Sequence, residues 1–442
     1  MSNLPLITLG KTVSKISKTL NRGNGSTWPG HIALKGNKNF IRDILSRSQT
    51  KIIIVAGTNG KTTTSALIRK GLEKNGKMVI QNASGANLLN GIASTLLLNT
   101  NAKGKLSQDF AIFEVDENAL PLVLNQVSPD YLVLLNLFRD QLDRYGEINT
   151  IAQKWKDVIA KLPEKTTLIL NADDPQIAYL GLSNVRARNE ATKQSLDALY
   201  FSLNENNSSS KNQEAADSIS CPKCGNKLIF ETITFSHLGK WKCPSCGLIR
   251  PKTSLSSYPI YPLSGTYNKY NTIAAALVLK NLNFNEDIIN KAFQEFKPAF
   301  GRQELIEFQG KKVQLFLSKN PTSFNQSFAT IIELKAKSIL LVLNDRIPDG
   351  RDISWIWDTD LSVLEDFKHI FVTGDRVYDM ALRMKYELGI MNYEKKVETF
   401  EDLKEAIDAS VNSVSENETL YLLPTYSAML DARKILTGKK IL

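Results

Sequence analysis

Cysteine and histidine are both scarce here: 442 residues carry four cysteines and three histidines. The histidines, His31, His237 and His369, are scattered along the chain, whereas the cysteines all fall between Cys221 and Cys246. That clustering argues against a disulfide framework and for a metal site. If a metal takes all four, no cysteine is left over as a nucleophile, and a Cys–His catalytic pair within this chain is not expected. No run of about 18 apolar residues occurs, so no membrane-spanning helix is expected. The opening stretch "MSNLPLITLGKTVSKISKTLNR" has neither the sustained apolar core nor the cleavage site of a secretory signal, which points to the cytoplasm.

Acidic residues are outnumbered by lysine and arginine, 45 to 55, for a net charge of +10. Such an excess suits plain solubility, an anionic membrane face, a phosphorylated substrate or nucleic acid, and charge alone does not choose. Lys11, Lys15, Lys18 and Arg22 recur at roughly helical spacing beside Val13, Ile16 and Leu20. The apolar face is thin, which favours packing onto the protein and leaves a peripheral contact with the inner face of the plasma membrane open.

Hydrophobic residues make up 42% of the chain, enough for ordinary cores, and its length suggests two or three domains. "KIIIVAG", "FAIFEVDE", "YLVLLNLF" and "TLILNADD" are short apolar runs separated by helix-like stretches, the alternation of a parallel α/β sheet. Their carboxyl ends, where ligands collect in such sheets, hold Gly57, Glu114, Asn136 and Asn171. A second α/β set, "VQLFL", "SILLVLND", "HIFVTGD" and "TLYLLPTY", follows residue 301. The expected organisation is a basic N-terminal segment over residues 1–45, a central α/β domain over 46–300, and a smaller Rossmann-like α/β domain over 301–442. The central domain would carry an insertion at 204–255, a polar loop followed by the cysteine window.

In "VAGTNGKTTTSAL" a strand breaks at glycine and a helix starts with Lys-Thr. Backbone N–H groups and the helix N-terminus then face an anion. Lys61 would neutralise β- and γ-phosphates, and the Thr62 hydroxyl would reach Mg²⁺. Val55 stands where the usual phosphate-loop pattern has its first glycine. Glu114 is a candidate second anchor for Mg²⁺, an ion that favours oxygen ligands. Cys221-x-x-Cys224 and Cys243-x-x-Cys246, each followed by glycine, have the spacing of a closed, structural Zn²⁺ site. The glycines would allow tight approach of backbone to sulfur. Zinc would staple a hairpin, "LIFETITF" and beyond, that holds no core alone.

Four stretches in order, "GTNGKTTT", "NADDP", "GTYNKYNTIAA" and "GRQE", resemble the motifs of the Mur ligases, which add amino acids to peptidoglycan precursors and have folylpolyglutamate synthetase as a cousin. The cysteine insertion and "DGRDISWIWD" make the chain most similar to the amidating branch of that family, the ligase subunits of lipid II isoglutaminyl synthases. The resemblance implies ATP-driven phosphorylation of the D-glutamate α-carboxylate in the lipid II stem peptide, then displacement of phosphate by ammonia to give D-isoglutamine. It implies that Thr58, Asn59, Gly60, Lys61, Thr62 and Thr63 line the ATP phosphates and that Glu114 holds Mg²⁺. It places Asn268 and Asn271 near the adenine, and Arg302 at the hinge between domains.

Two departures are informative. Amino-acid-adding relatives have Asp-His-Leu-Asp where this chain has Asp140-Gln141-Leu142-Asp143, which puts a second metal in doubt. They also have a histidine before Asn-Pro, where this chain reads "SKNPTS". With "DGRD" besides, the second departure fits a C-terminal domain that receives ammonia instead of an amino acid. With no cysteine to spare for glutamine hydrolysis, a partner glutaminase is the natural inference, and the resemblance supplies a GatD-type glutamine amidotransferase subunit. It further implies that an aspartate of this chain orients the partner's catalytic histidine. The matching position is Asp352, although the sequence alone does not separate it from Asp349 or Asp358. Two other functions compete: a Mur- or folylpolyglutamate-type amino-acid ligase, and a zinc-ribbon phosphate-loop protein that binds nucleic acid. Against the latter, the chain shows no platform of aromatic and basic residues.

Overall fold

The computed structural model describes residues 3–19, 27–83, 85–101, 103–139, 148–191, 197–203 and 217–439. Two compact units divide the chain, one built from residues 1–139, 145–262 and 268–296, the other from 140–144, 263–267 and 297–442.

Six parallel strands form the sheet of the first unit: β1 (Lys51–Ala56), β2 (Val79–Gln81), β3 (Phe110–Val115), β4 (Tyr131–Leu134), β5 (Thr167–Asn171) and β6 (Ala198–Phe201). Their order is β2-β3-β1-β4-β5-β6. β1, β3 and β4 are buried, mostly apolar runs because helices cover both faces of a parallel sheet. The chain leaves β1 for the β2 edge but leaves β3 and β4 toward the opposite edge. The carboxyl end of β1 is therefore the switch point at which open α/β sheets bind ligands. Parallel pairing sets Val55 beside Glu114 and Ala56 beside Leu134, so the loops after β1, β3 and β4 emerge together.

The N-terminal helix Leu4–Thr19 packs on the helix Leu89–Asn99. Ile7 is buried, a Cβ on Gly10 would come within 2.5 Å of Leu97, and Lys11 Nζ donates to the Thr100 carbonyl at 2.6 Å. Among the described residues no helix is long and apolar enough to cross a membrane.

The insertion contains an antiparallel hairpin, β7 (Ile229–Phe235) and β8 (Leu238–Lys242). It does not stand apart: Trp241, Cys221 and Cys243 join the hydrophobic core of the first unit, and Trp241 Nε1 donates to the Ala172 carbonyl at 3.0 Å. Metal is thus not the hairpin's sole support, as the sequence suggested, because its inner face is completed by the loop after β5.

A second six-stranded sheet builds the other unit: β9 (Arg302–Phe308), β10 (Lys311–Phe316), β11 (Ser338–Val342), β12 (His369–Thr373), β13 (Val397–Thr399) and β14 (Thr419–Pro424). The order is β13-β12-β11-β14-β10-β9, parallel except for β9, which pairs antiparallel with β10 at one edge. Helices Pro321–Glu333, Val377–Lys396, Leu403–Ser413 and Tyr426–Thr437 flank it, giving an apolar core on each face.

Candidate active site and cysteine cluster

The phosphate loop follows β1 at the switch point. Gly57 (φ +140°) and Gly60 (φ +91°) adopt backbone conformations that L side chains rarely accept. Gly60 then caps the helix Lys61–Lys74, whose first N–H groups have no intrahelical acceptors. Asn136, at the end of β4, steadies the loop: its carbonyl accepts from Thr58 N–H at 3.0 Å, its Oδ1 from Asn59 N–H at 2.9 Å, and its Nδ2 donates to the Asn59 carbonyl at 3.1 Å. From the sequence Asn136 was only a strand end; its clasp on the loop needs the register of β4 against β1.

Lys61 Nζ donates to the carbonyls of Gly57 (2.5 Å) and Thr58 (3.0 Å) and lies 3.4 Å from the buried carboxylate of Glu117. The ammonium is therefore held inside the curl of the loop, where β- and γ-phosphate oxygens would meet it. Thr62 Oγ1 donates to Glu114 Oε2 at 2.8 Å. Gln81 Nε2 donates to the other oxygen of Glu114 at 2.8 Å, while Asn82 brackets the Glu114 backbone with two hydrogen bonds. A hydroxyl and a carboxylate already in contact at a helix N-terminus are the oxygen donors a Mg²⁺–phosphate pair takes, so this set fits Mg²⁺. Glu117, Gln81 and Asn82 were not found from sequence; Glu117, three residues after Glu114, was the only one with a usable signal.

Thr63 is buried beneath the first turn. Asn268 and Asn271 sit on the helix Thr266–Asn281, and Asn271 Nδ2 donates to Asn268 Oδ1 at 3.2 Å. Asn271 Oδ1 lies 3.4 Å from Thr64 Oγ1 and only 2.1 Å from where a Cβ on Gly60 would stand. The structure thus brings Thr58 to Thr63, Glu114, Asn268 and Asn271 into one neighbourhood, with Asn271 against the back of the phosphate loop. Arg302 opens β9 and Asp352 lies in a loop, both in the second unit. The Asp140–Asp143 motif lies outside the described residues.

The three candidate aspartates of the second unit differ in setting. Asp349 is 4% exposed and accepts from both the backbone N–H (2.7 Å) and the hydroxyl (2.5 Å) of Ser427. Asp352 and Asp358 are exposed. The Ser354 backbone N–H, 2.8 Å from Asp352 Oδ1, holds that carboxyl below its ordinary range.

The four cysteine sulfurs all lie within 4.8 Å of one another, with Cys221···Cys246 at 3.6 Å and Cys224···Cys243 at 3.5 Å. Four thiolates about 2.3 Å from a tetrahedral Zn²⁺ would stand about 3.8 Å apart, so the sulfur set fits zinc. Burial pushes the Cys221 thiol up to about 12, whereas the Asn226 backbone N–H draws Cys224 down to about 6. Each knuckle closes with matched backbone bonds, Gly225 N–H to Cys221 O and Gly247 N–H to Cys243 O. Both glycines have positive φ, and a Cβ on either would meet nothing within 4 Å. They are required by backbone conformation, not by the close approach expected from sequence.

A phosphate loop at the switch point of a parallel sheet, an inserted cysteine ribbon and a second α/β unit together describe a Mur-type ligase. The Mur ligase middle domain model matches residues 55–279, and the MurT ligase C-terminal model matches 317–429. The MurT subunit of lipid II isoglutaminyl synthase (glutamine-hydrolysing) from Staphylococcus aureus is 32% identical over 398 residues, covering 86% of each chain. Its counterpart from Streptococcus pneumoniae is 31% identical over 442 residues, covering 95% of this chain and 94% of its own. A solved structure of Mycobacterium tuberculosis folylpolyglutamate synthase complexed with ADP has the same fold, with a TM-score of 0.59 at 16% identity, covering 91% of this chain and 95% of that one. The chain belongs to the Mur ligase family and, within it, to the MurT subunits of lipid II isoglutaminyl synthase.

Proposed function

We propose that this chain binds ATP in the phosphate loop and uses it to amidate the α-carboxylate of D-glutamate in the lipid II stem peptide. A carboxylate is a poor electrophile. Attack of its oxygen on the γ-phosphorus, with ADP leaving, gives an acyl phosphate; ammonia then attacks the acyl carbon, loses a proton and expels phosphate. The protein's share of phosphoryl transfer is positioning and charge neutralisation. Lys61 neutralises the transferred phosphoryl group, while backbone N–H groups of Gly60 and Lys61 orient it. Thr62 and Glu114 would hold Mg²⁺, which would offset the charge of the phosphates. Asn271 packs against Gly60 and leaves no room for a side chain there.

One observation carries this reading: Lys61, Thr62 and Glu114 converge behind a glycine-capped helix N-terminus at the switch point. Zinc in the four-cysteine site is structural, because four thiolates leave no open position for water. Ammonia comes from a glutaminase subunit, whose histidine Asp352 orients. Its exposure favours it over Asp349, which Ser427 already engages. The enzyme works in the cytoplasm, meeting lipid II at the inner membrane face.

The experiment supplies purified chain with ATP, Mg²⁺, ammonium and lipid II, and reads the stem peptide by mass spectrometry. Replacement of OH by NH₂ lowers its mass by about 1 Da, the change this chemistry requires. An unchanged mass with ammonium, and again with glutamine and the co-purified glutaminase, refutes the reading.

A further inference from the structure

We infer that the cysteine ribbon is a strut of the nucleotide site, holding the phosphate loop in place through its hairpin tip at His237. This rests on reading that loop as the ATP site. The turn between β7 and β8 passes through Ser236 (φ +48°) and drives His237 into the interior, where it is fully buried. His237 Nε2 lies 3.3 Å from Asp174 Oδ2, although not aligned as a hydrogen bond.

Asp174 is the relay. Its Oδ1 caps the helix Pro175–Ala191 through Gln176 N–H and Ile177 N–H, and its Oδ2 accepts from Leu137 N–H at 2.8 Å. The next residue, Phe138, is clasped on both sides. Its ring packs against His237 (4.9 Å) and Phe235 (5.9 Å) of the hairpin. Its backbone N–H donates to Thr58 Oγ1 at 3.0 Å, and that hydroxyl lies 3.3 Å from its carbonyl. Thr58 is part of the phosphate loop, so one residue joins ribbon and loop.

A second line of contacts runs in parallel. Arg250, at the base of the ribbon, meets Asp173 at 2.5 Å, and Asp173 accepts from Tyr270 at 2.6 Å. Tyr270 precedes Asn271, which backs Gly60. Burying carboxylates is costly unless each is paired. Here Asp173, Asp174 and His237 are all buried at the junction, and the two carboxylates bond to Tyr270 and Leu137, each next in sequence to a residue that touches the phosphate loop. A two-stranded hairpin is marginal alone, so closure of the knuckles adds to the packing that holds its tip. His237 is a positioning residue in this scheme, and metal loading couples to nucleotide affinity.

The test measures binding of a fluorescent ATP analogue to the full chain, alongside zinc content and circular dichroism. His237→Ala is expected to weaken binding about tenfold with zinc retained, and His237→Gln to recover most of the loss. Displacing zinc from the wild-type chain with a thiol reagent is expected to weaken binding by a similar factor while helical signal persists. The same treatment of His237→Ala should add little. Unchanged affinity in folded His237→Ala, or in zinc-stripped protein, overturns the strut. Collapse of the helical signal on stripping also overturns it, since the ribbon would then staple the whole unit. Lys61→Ala separates the two readings: if it binds the analogue normally, the ATP-site assignment fails, whereas lost binding there beside normal binding in His237→Ala rejects the strut alone.

Discussion

Gly60 is the residue at which backbone, helix and ligand requirements meet. Its φ of +91° costs any other residue strain, and a Cβ would press on Asn271 Oδ1 at 2.1 Å. Gly60→Ala is therefore expected to cost about 1–3 kcal/mol of stability and to weaken nucleotide binding about tenfold or more. Thermal melting and nucleotide titration would check both. Lys61→Ala is expected to lower ATP turnover at least about 100-fold, since it removes the ammonium held inside the loop. Retained turnover in the folded variant would remove Lys61 from the phosphate site. The Gly-Lys-Thr pattern made Lys61 and Thr62 legible in the sequence, because the chemistry is encoded in contiguous residues. The contacts of Asn271 with Thr64, and of Lys61 with Glu117, were not legible. They join positions 207 and 56 residues apart, and only the folded sheet brings them together.

Among the elements, central strands were read correctly and edge strands were not. β1, β3, β4 and β5 announce themselves as buried apolar runs. β2 and β13 have three residues each, too few for a periodic signal. β9 and β10 form a hairpin across Gln309 (φ +50°) and Gly310 (φ +74°), a type I′ turn in which glutamine occupies the position asparagine usually takes. That substitution hid the turn and left "GRQE" without an element, although Arg302 begins β9. The cysteine ribbon was legible from spacing, but its burial against the loop after β5 was not, because nothing local marks Trp241 or His237 as inward-facing. Cys221→Ser is expected to abolish bound zinc and lower the melting temperature by several degrees, the loss of metal-coupled folding energy. Metal analysis and calorimetry check this, and an unchanged pair of values would refute a zinc ribbon.

At the scale of the whole molecule, glutamine use should be separable from amide formation, because the proposed partner contacts lie in the second unit and the phosphate loop in the first. Trp357 follows Asp352 closely in the sequence, and its ring lies 5.8 Å from that of Tyr386 on the helix Val377–Lys396. Along that helix Tyr378, Leu382 and Tyr386 recur at four-residue spacing and are 65%, 63% and 77% exposed. A row of large exposed side chains on that helix suits a protein partner's surface. Tyr386→Glu is expected to weaken association with the glutaminase about tenfold or more and leave ammonium-driven amidation intact. Asp352→Asn is expected to leave association unchanged but lower glutamine-driven amidation at least about 100-fold, again sparing the ammonium reaction. The Ser354 N–H sets the pH sign: it depresses the Asp352 pKa, so the stabilisation it brings is full above the ordinary carboxylate range. That stabilisation is lost only as pH falls through the lowered value. The acid limb of glutamine-driven activity should therefore lie above the titration of Asp352 and be unmoved by strengthening its Ser354 contact. Parallel assays with glutamine and with ammonium across pH decide the matter. Equal loss of both activities in Asp352→Asn would place that carboxylate in the ligase reaction itself and end its assignment to the partner's histidine.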